Sequence, residues 1–184
     1  MPAAPDRTPG RVARALDRLY DAAGVLAALC ILFICGVVTA QVALNALARL
    51  GGPGLSFTIP GYADLSGYAL AAASFLALAH TLRRGAHIRV TLLADRLPAP
   101  LRRPVDLLVL ALASGLAGYA SYWLWMLVAE SLRYGDLSPG MIAVPLWVPQ
   151  IPVAAGLTLL TVALVHTLAE RARGAPIPTS GDEA

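Results

Sequence analysis

Two histidines are the side chains of this chain whose type and spacing most directly suggest chemistry. His80 and His166 lie near the ends of two long apolar segments, at similar expected depth. Two imidazoles placed in this way could ligate a haem between helices, so a b-type cytochrome membrane anchor is one hypothesis. A simpler interpretation is that both are polar caps at a membrane boundary, since the third histidine, His87, lies in a connecting segment and completes no second pair.

A short polar series follows one face of the first apolar segment and continues beyond it. Gln41 and Asn45 are four residues apart, so they share a helix face and can hydrogen-bond to a neighbouring helix. Arg49 lies four residues further on, where its side chain can extend to the lipid headgroups. Asp64 opens the next apolar segment, where it can stabilise a helix N-terminus or pair with Arg49.

The remaining chemistry of the sequence is sparse. It contains no CxxC motif, no glycine-rich phosphate-binding loop, and no nucleophile with a base at a useful spacing. The apolar segments also carry no acidic residue at mid-depth, which argues against a proton relay or a self-contained ion carrier. We therefore predict a protein that is not an enzyme, with no catalytic residue and no metal site.

Composition places these residues in a membrane protein. Of the 184 residues, 58% are hydrophobic and 14% are charged, whereas soluble domains have about 25% charged residues. Four segments of roughly 20 or more apolar residues are long enough to cross a bilayer as helices. We predict an all-α integral membrane protein with a membrane domain over 22–168 and spans at about 22–47, 63–82, 105–128 and 146–168.

The arginines predict which way the spans face. All 14 basic residues are Arg, and 12 of them precede the first span, separate the second from the third, or follow the fourth. The other two connecting loops hold only Arg49 and Arg133. By the positive-inside rule, both termini and the middle loop are expected to be cytoplasmic. Clustering at membrane boundaries also suggests contact with anionic lipids, and not with nucleic acid.

Two short interfacial amphipathic helices are expected on the arginine-rich side. Residues 1–21 form a cytoplasmic segment in which arginines align along one face of a helix at about 9–20. The middle loop has two apolar ridges over 87–97, which suggests burial on both sides; Pro98 and Pro100 end this helix and Pro104 starts the third span. Residues 169–184 are expected to be a disordered cytoplasmic tail.

Two short patterns accompany the first two spans. Asn45 and Arg49 form an Asn-x-x-x-Arg sequence at the end of the first, and Asp64 opens the second. After the second span, Arg84 precedes a Gly-x-His-Ile sequence at residues 85–88, which leads into the apolar positions of the middle loop.

Another pattern precedes the last span, and it completes a recognisable set. Ser138 and Pro139 are followed by Pro-Leu-Trp-Val-Pro at residues 145–149. In this order, the patterns resemble the small membrane subunit of tripartite ATP-independent periplasmic (TRAP) transporters, the DctQ-like small permease, over about residues 15–170. The candidate interface or structural residues are Asn45, Arg49, Asp64, Arg84, His87, Ile88, Arg89, Leu93, Leu97, Ser138, Pro139 and Trp147.

The resemblance implies a non-catalytic scaffold in a bacterial inner membrane. Such a subunit pairs with a larger permease, which carries the substrate and sodium sites, so no cofactor and no substrate-binding residue is expected here. A soluble periplasmic substrate-binding protein delivers the substrate, often an organic acid. On this basis we expect residues 84–97 to dock on the large subunit, and the loops at 51–61 and 133–144 to help seat the binding protein.

Three alternatives remain open from the sequence. One is the small subunit of a different tripartite carboxylate transporter, in which the Gly-x-His-Ile sequence would not be expected. Another is the b-type cytochrome anchor that uses His80 and His166. The third is a structural protein with four spans that acts on its own.

Overall fold

The computed structural model describes residues 11–51, 57–84 and 99–173, and these ranges contain four helices and no strand. Each helix is long and apolar enough to cross a membrane, which confirms the predicted all-α fold with four spans. Two helical hairpins follow one another along the chain. The helices are α1 (Arg11–Gly51), α2 (Tyr62–Arg83), α3 (Ala99–Tyr134) and α4 (Trp147–Ala172).

The helices form a row in the order α1, α2, α4, α3. The main contacts join α1 to α2, α2 to α4, and α4 to α3. The start of α1 and the end of α2 meet, as do the start of α3 and the end of α4, so each hairpin is antiparallel. The ends of α2 and α4 also meet, so these two inner helices run parallel.

Small residues let the two inner helices approach closely. Gly156 of α4 lies against the backbone of Phe75 in α2, and a Cβ added at Gly156 would stand 2.5 Å from the Phe75 carbonyl carbon. The buried alanines Ala79 of α2 and Ala163 of α4 belong to one cluster, together with Tyr20 of α1. In a bilayer, such small side chains stabilise helix pairs by allowing dense packing between backbones.

Two helix starts differ from the sequence-based expectation. The amphipathic segment at about 9–20 is not separated from the first span, because α1 runs without a break from Arg11 to Gly51. Helix α3 begins at Ala99, so Pro104 lies inside it and does not start it. Pro104 is the sixth residue of this helix, so its missing N–H removes the hydrogen bond that this position would otherwise donate to the Pro100 carbonyl.

Some predicted features lie outside the described residues. These are the beginning of the N-terminal segment, the interfacial helix at 87–97 and the tail beyond residue 173. The side on which the termini lie is likewise a prediction that these helices alone do not test.

Candidate functional site

The starts of α1 and α3 and the ends of α2 and α4 lie together, and we call this part of the molecule the charged end. Arg83 at the end of α2 joins three helices there. Its Nη1 donates to Glu170 Oε2 of α4 at 2.8 Å, and its Nη2 lies 3.5 Å from Asp17 Oδ1 of α1. Only 22% of the Arg83 side chain is exposed, so this bond network is shielded from water more than most surface ion pairs.

A second set of contacts at the charged end links α1 to α2. Asp21 Oδ1 accepts a hydrogen bond from Arg84 Nη2 at 3.2 Å and lies 3.3 Å from His80 Nδ1. The His80 ring packs on Gly24 of α1, where an added Cβ would come within 2.8 Å of the imidazole Cγ. Glycine at this position therefore gives the histidine its place between the two helices.

Charged side chains also join the two helices of the second hairpin, α3 and α4. Arg171 Nη1 lies 3.3 Å from Asp106 Oδ2, which joins the end of α4 to the start of α3. Arg103 of α3 adds a hydrogen bond from its Nη2 to the Ala172 carbonyl oxygen at 3.2 Å. Arginines that predicted membrane orientation thus also connect each helix of the row to its neighbour.

The contacts of the two candidate haem ligands do not favour a shared site. His80 faces α1, whereas His166 Nε2 lies 3.4 Å from Glu170 on its own helix. Each imidazole is therefore held beside a different carboxylate. Within the part of the chain that the structure describes, no group of three or more His, Cys, Asp and Glu side chains is arranged to hold a metal ion.

A cavity of about 320 Å³, here called the α1–α2 cavity, lies beside the ion pairs of the charged end. Its walls mix acidic and basic groups from two helices. Tyr20 is the most buried of these residues, with 1% of its surface exposed. The lining residues are Asp17, Tyr20, Asp21, His80, Arg83 and Arg84.

The opposite end of the row is held mainly by uncharged hydrogen bonds. Gln41 is 3% exposed, and its Nε2 donates to Asn45 Oδ1 at 3.0 Å. The Gln41 Oε1 accepts from the Ile59 backbone N–H at 2.8 Å. The predicted polar pair in the first span therefore fixes the segment leading into α2.

The loop between α3 and α4 folds over the start of α2. Ser138 is buried, and its Oγ lies 2.5 Å from the Tyr68 hydroxyl and accepts from the Gly140 N–H at 3.3 Å. Asp64 lies against Gly140, since an added Cβ there would stand 2.9 Å from the Asp64 Cγ. Ile142 similarly covers Gly61, whose φ of 67° is a conformation that glycine adopts readily.

The structure brings some of the predicted site residues together. Asp64 and Ser138 meet at Gly140, and Asn45 joins Gln41. Arg49 and Pro139 are exposed at this end, and Trp147 is half-buried at the start of α4, while Arg84 lies at the charged end. Five predicted residues lie outside the described ranges: His87, Ile88, Arg89, Leu93 and Leu97.

The acidic partners of the arginines were not predicted from the sequence, because the orientation rule uses only the basic residues. A repeat in the sequence could have indicated the part of the molecule in which these acidic residues lie. The sequence Ala-Leu-x-His-Thr-Leu occurs at 77–82 and again at 163–168, so α2 and α4 place a histidine at matching positions. In both copies the threonine hydroxyl donates to the carbonyl four residues earlier, Thr81 to Ala77 and Thr167 to Ala163. The acidic residues stand beside these repeats: Asp17, Asp21, Asp106 and Glu170.

Comparison with known families gives one match. The family model described as "Tripartite ATP-independent periplasmic transporters, DctQ component" matches residues 34–174, which is 141 of the 184 residues. Searches of curated proteins and of solved structures found no match. The matched range covers all of α2, α3 and α4, and residues 34–51 of α1.

Proposed function

Because the chain belongs to the DctQ family of tripartite ATP-independent periplasmic transporters, we propose that it acts as the scaffold that holds the large permease in place during ion-coupled uptake. It is a transporter component of the inner membrane, with four helices long and apolar enough to span it. The family match also decides between the two kinds of tripartite transporter that the sequence left open.

One observation carries the scaffold role. The four helices have no Asp, Glu, Lys or Arg over residues 22–48, 65–82, 107–129 and 147–169. A subunit that moved an ion or a carboxylate substrate itself would be expected to carry charged groups at that depth. The ion pairs described above lie at the charged end and join helices to one another. This supports the role of a stationary scaffold for a partner that carries the substrate and sodium sites.

The large permease is the first partner that we propose. Its docking element is the segment 84–97, which leaves α2 at the charged end and carries Ile88 and Leu93 on different apolar ridges of the expected helix. Since 12 of the 14 arginines belong to the segments at this end, we infer that it faces the cytoplasm.

The periplasmic binding protein is the second proposed partner. The loop between α3 and α4 is held in shape by backbone bonds from Ser138 N to Val144 O at 2.8 Å and from Leu146 N to Asp136 O at 3.0 Å. A loop with a fixed shape at the opposite end from the arginines is a suitable seat for a soluble protein. An organic acid is the substrate class that we propose for the assembled transporter.

The docking proposal is tested by an Ile88→Asp, Leu93→Asp double variant. Two carboxylates on apolar ridges cannot be buried against a partner without a large desolvation cost, so we expect loss of co-purification with the large permease and loss of organic-acid uptake. The matched control is Ile88→Leu, Leu93→Ile, which keeps the ridges apolar. Normal complex formation and uptake by the Asp variant would show that the segment does not dock.

A further inference from the structure

The α1–α2 cavity lies where the apolar runs of α1 and α2 meet the charged end. Asp17 and Asp21 precede the apolar run of α1, which begins at Ala22, and Arg83 follows the apolar run of α2, which ends at Leu82. Both walls of the cavity therefore change from charged to apolar at the same level. A headgroup in the cavity would leave its acyl chains beside the apolar parts of the same two helices.

The charged groups of the cavity retain hydrogen-bonding capacity. Arg84 is 65% exposed and uses its Nη2 in the contact with Asp21, while a guanidinium offers five N–H donors. Asp17 and Asp21 are 47% and 53% exposed, so their oxygens can accept further hydrogen bonds. A ligand at this place thus meets a cation and two carboxylates side by side.

Two polar atoms in the cavity wall are buried without hydrogen bonds. The Tyr20 hydroxyl and His80 Nδ1 have no hydrogen-bond partner among the described residues, although His80 Nδ1 lies 3.3 Å from Asp21 Oδ1. Leaving buried polar groups unsatisfied is costly, so such atoms commonly mark a place where another molecule completes the bonding. Both atoms belong to residues that line this cavity.

We propose that the α1–α2 cavity binds the headgroup of a phospholipid that carries both a phosphate and a primary ammonium group, as phosphatidylethanolamine does. The phosphate accepts hydrogen bonds from Arg84, and the ammonium group donates to Asp17 and Asp21. An anionic glycerol headgroup brings no cation to the carboxylates. A trimethylammonium headgroup brings a cation that has no N–H to donate.

The second hairpin offers an internal control for this site. In the repeated sequence, Ala169 and Glu170 stand where α2 has Arg83 and Arg84. The matching position on α4 therefore has Glu170 in the place of Arg84, the residue that donates to the headgroup phosphate. We expect headgroup selectivity to depend on the first hairpin and not on the second.

Native mass spectrometry of the purified, delipidated full chain tests this inference. Phosphatidylethanolamine, phosphatidylglycerol and phosphatidylcholine with identical acyl chains are titrated separately, and glycerophosphoethanolamine without acyl chains is the soluble probe. We expect phosphatidylethanolamine to bind about tenfold more tightly than the other two lipids, the effect of one charge-assisted hydrogen bond. The soluble probe is expected to bind far more weakly, because it lacks the acyl chains that contact the helices.

Two variants identify the groups responsible. Asp21→Asn keeps the side-chain size, whereas Arg84→Gln shortens the side chain and removes its charge; both residues are more than half exposed, so folding is preserved. Asp21→Asn is expected to reduce the preference for phosphatidylethanolamine about tenfold, and Arg84→Gln is expected to weaken the binding of all three lipids about tenfold, because all three carry the phosphate. Arg171→Gln in the second hairpin leaves both the preference and the affinity unchanged. Equal binding of the three lipids by the wild-type chain, a preference that survives Asp21→Asn, or lipid affinity that Arg84→Gln leaves unchanged would overturn the proposal. Equally tight binding of the soluble probe would overturn a lipid as the ligand. None of these outcomes depends on whether the large permease docks.

Discussion

The inner helices α2 and α4 are more buried than the outer helices α1 and α3, although the compositions of the four helices are similar. In the most apolar stretch of each helix, 22% and 28% of residues are buried for α2 and α4, against 11% for both outer helices. The inner pair approaches through Gly156 and small alanines. The outer pair keeps large apolar side chains exposed, among them Leu32 of α1 and Leu116 of α3. The difference indicates that the inner pair holds the subunit together, while the outer helices provide surface for lipid or a partner.

Gly156→Leu is expected to have the largest effect on this arrangement. The leucine side chain would overlap the backbone of Phe75, so the inner helices would have to separate. We expect this to lower the free energy of unfolding by about 3 kcal/mol. Thermal unfolding in detergent measures the loss. The matched control is Gly115→Leu on outer helix α3, where an added Cβ meets nothing within 4 Å. A similar loss of stability in both variants would contradict the distinction between inner and outer helices.

Arg83→Ala tests how the inner helices are joined to α1. It removes the ion pairs to Glu170 and Asp17 and leaves both carboxylates without this cation, at an expected cost of about 2 kcal/mol. Denaturant unfolding of the purified protein gives the value. Arg84→Ala is the control, and it should cost about 0.5 kcal/mol because that pair is exposed. An equal loss of unfolding free energy in Arg84→Ala and Arg83→Ala would contradict this prediction.

Substitutions on the outer helices are expected to change stability least. Leu32 and Leu116 are 66% and 70% exposed, so Leu32→Ala and Leu116→Ala should each alter the unfolding free energy of the isolated subunit by less than about 0.5 kcal/mol. If one outer helix faces the large permease, the change on that helix alone should weaken co-purification. Wild-type co-purification by both variants would instead indicate that these two positions face lipid.

The four spans could be predicted because long apolar runs and clustered arginines are signals within single segments. The order of the row could not, since helices that are apolar on all sides carry no stripe that identifies the neighbour. The ion pairs of Asp21 and Asp106 were likewise missed, because the pairing depends on which helices are adjacent. The continuous α1 was missed because a stripe of arginines looks the same in a separate helix and in the first turns of a longer one.

Part of the candidate site was predictable because its residues belong to short sequence patterns within single segments. Asn45, Asp64 and Ser138 were selected from their sequence patterns. The structure places Asp64 and Ser138 in contacts between the α3–α4 loop and the start of α2, and Asn45 in a hydrogen bond with Gln41 on its own helix. The α1–α2 cavity was not predicted. It requires residues from two helices, and its charges had been assigned to orientation in the membrane.

The central claim is that this chain forms a complex with the large permease of its transporter. Affinity purification of the tagged chain from membranes that contain both subunits, followed by size-exclusion chromatography with subunit quantification, tests it most directly. We predict that both subunits elute together in equal amounts, and that the Ile88→Asp, Leu93→Asp variant elutes alone. Separate elution of the wild-type chain, with the large permease present and folded in the same membranes, would contradict the account.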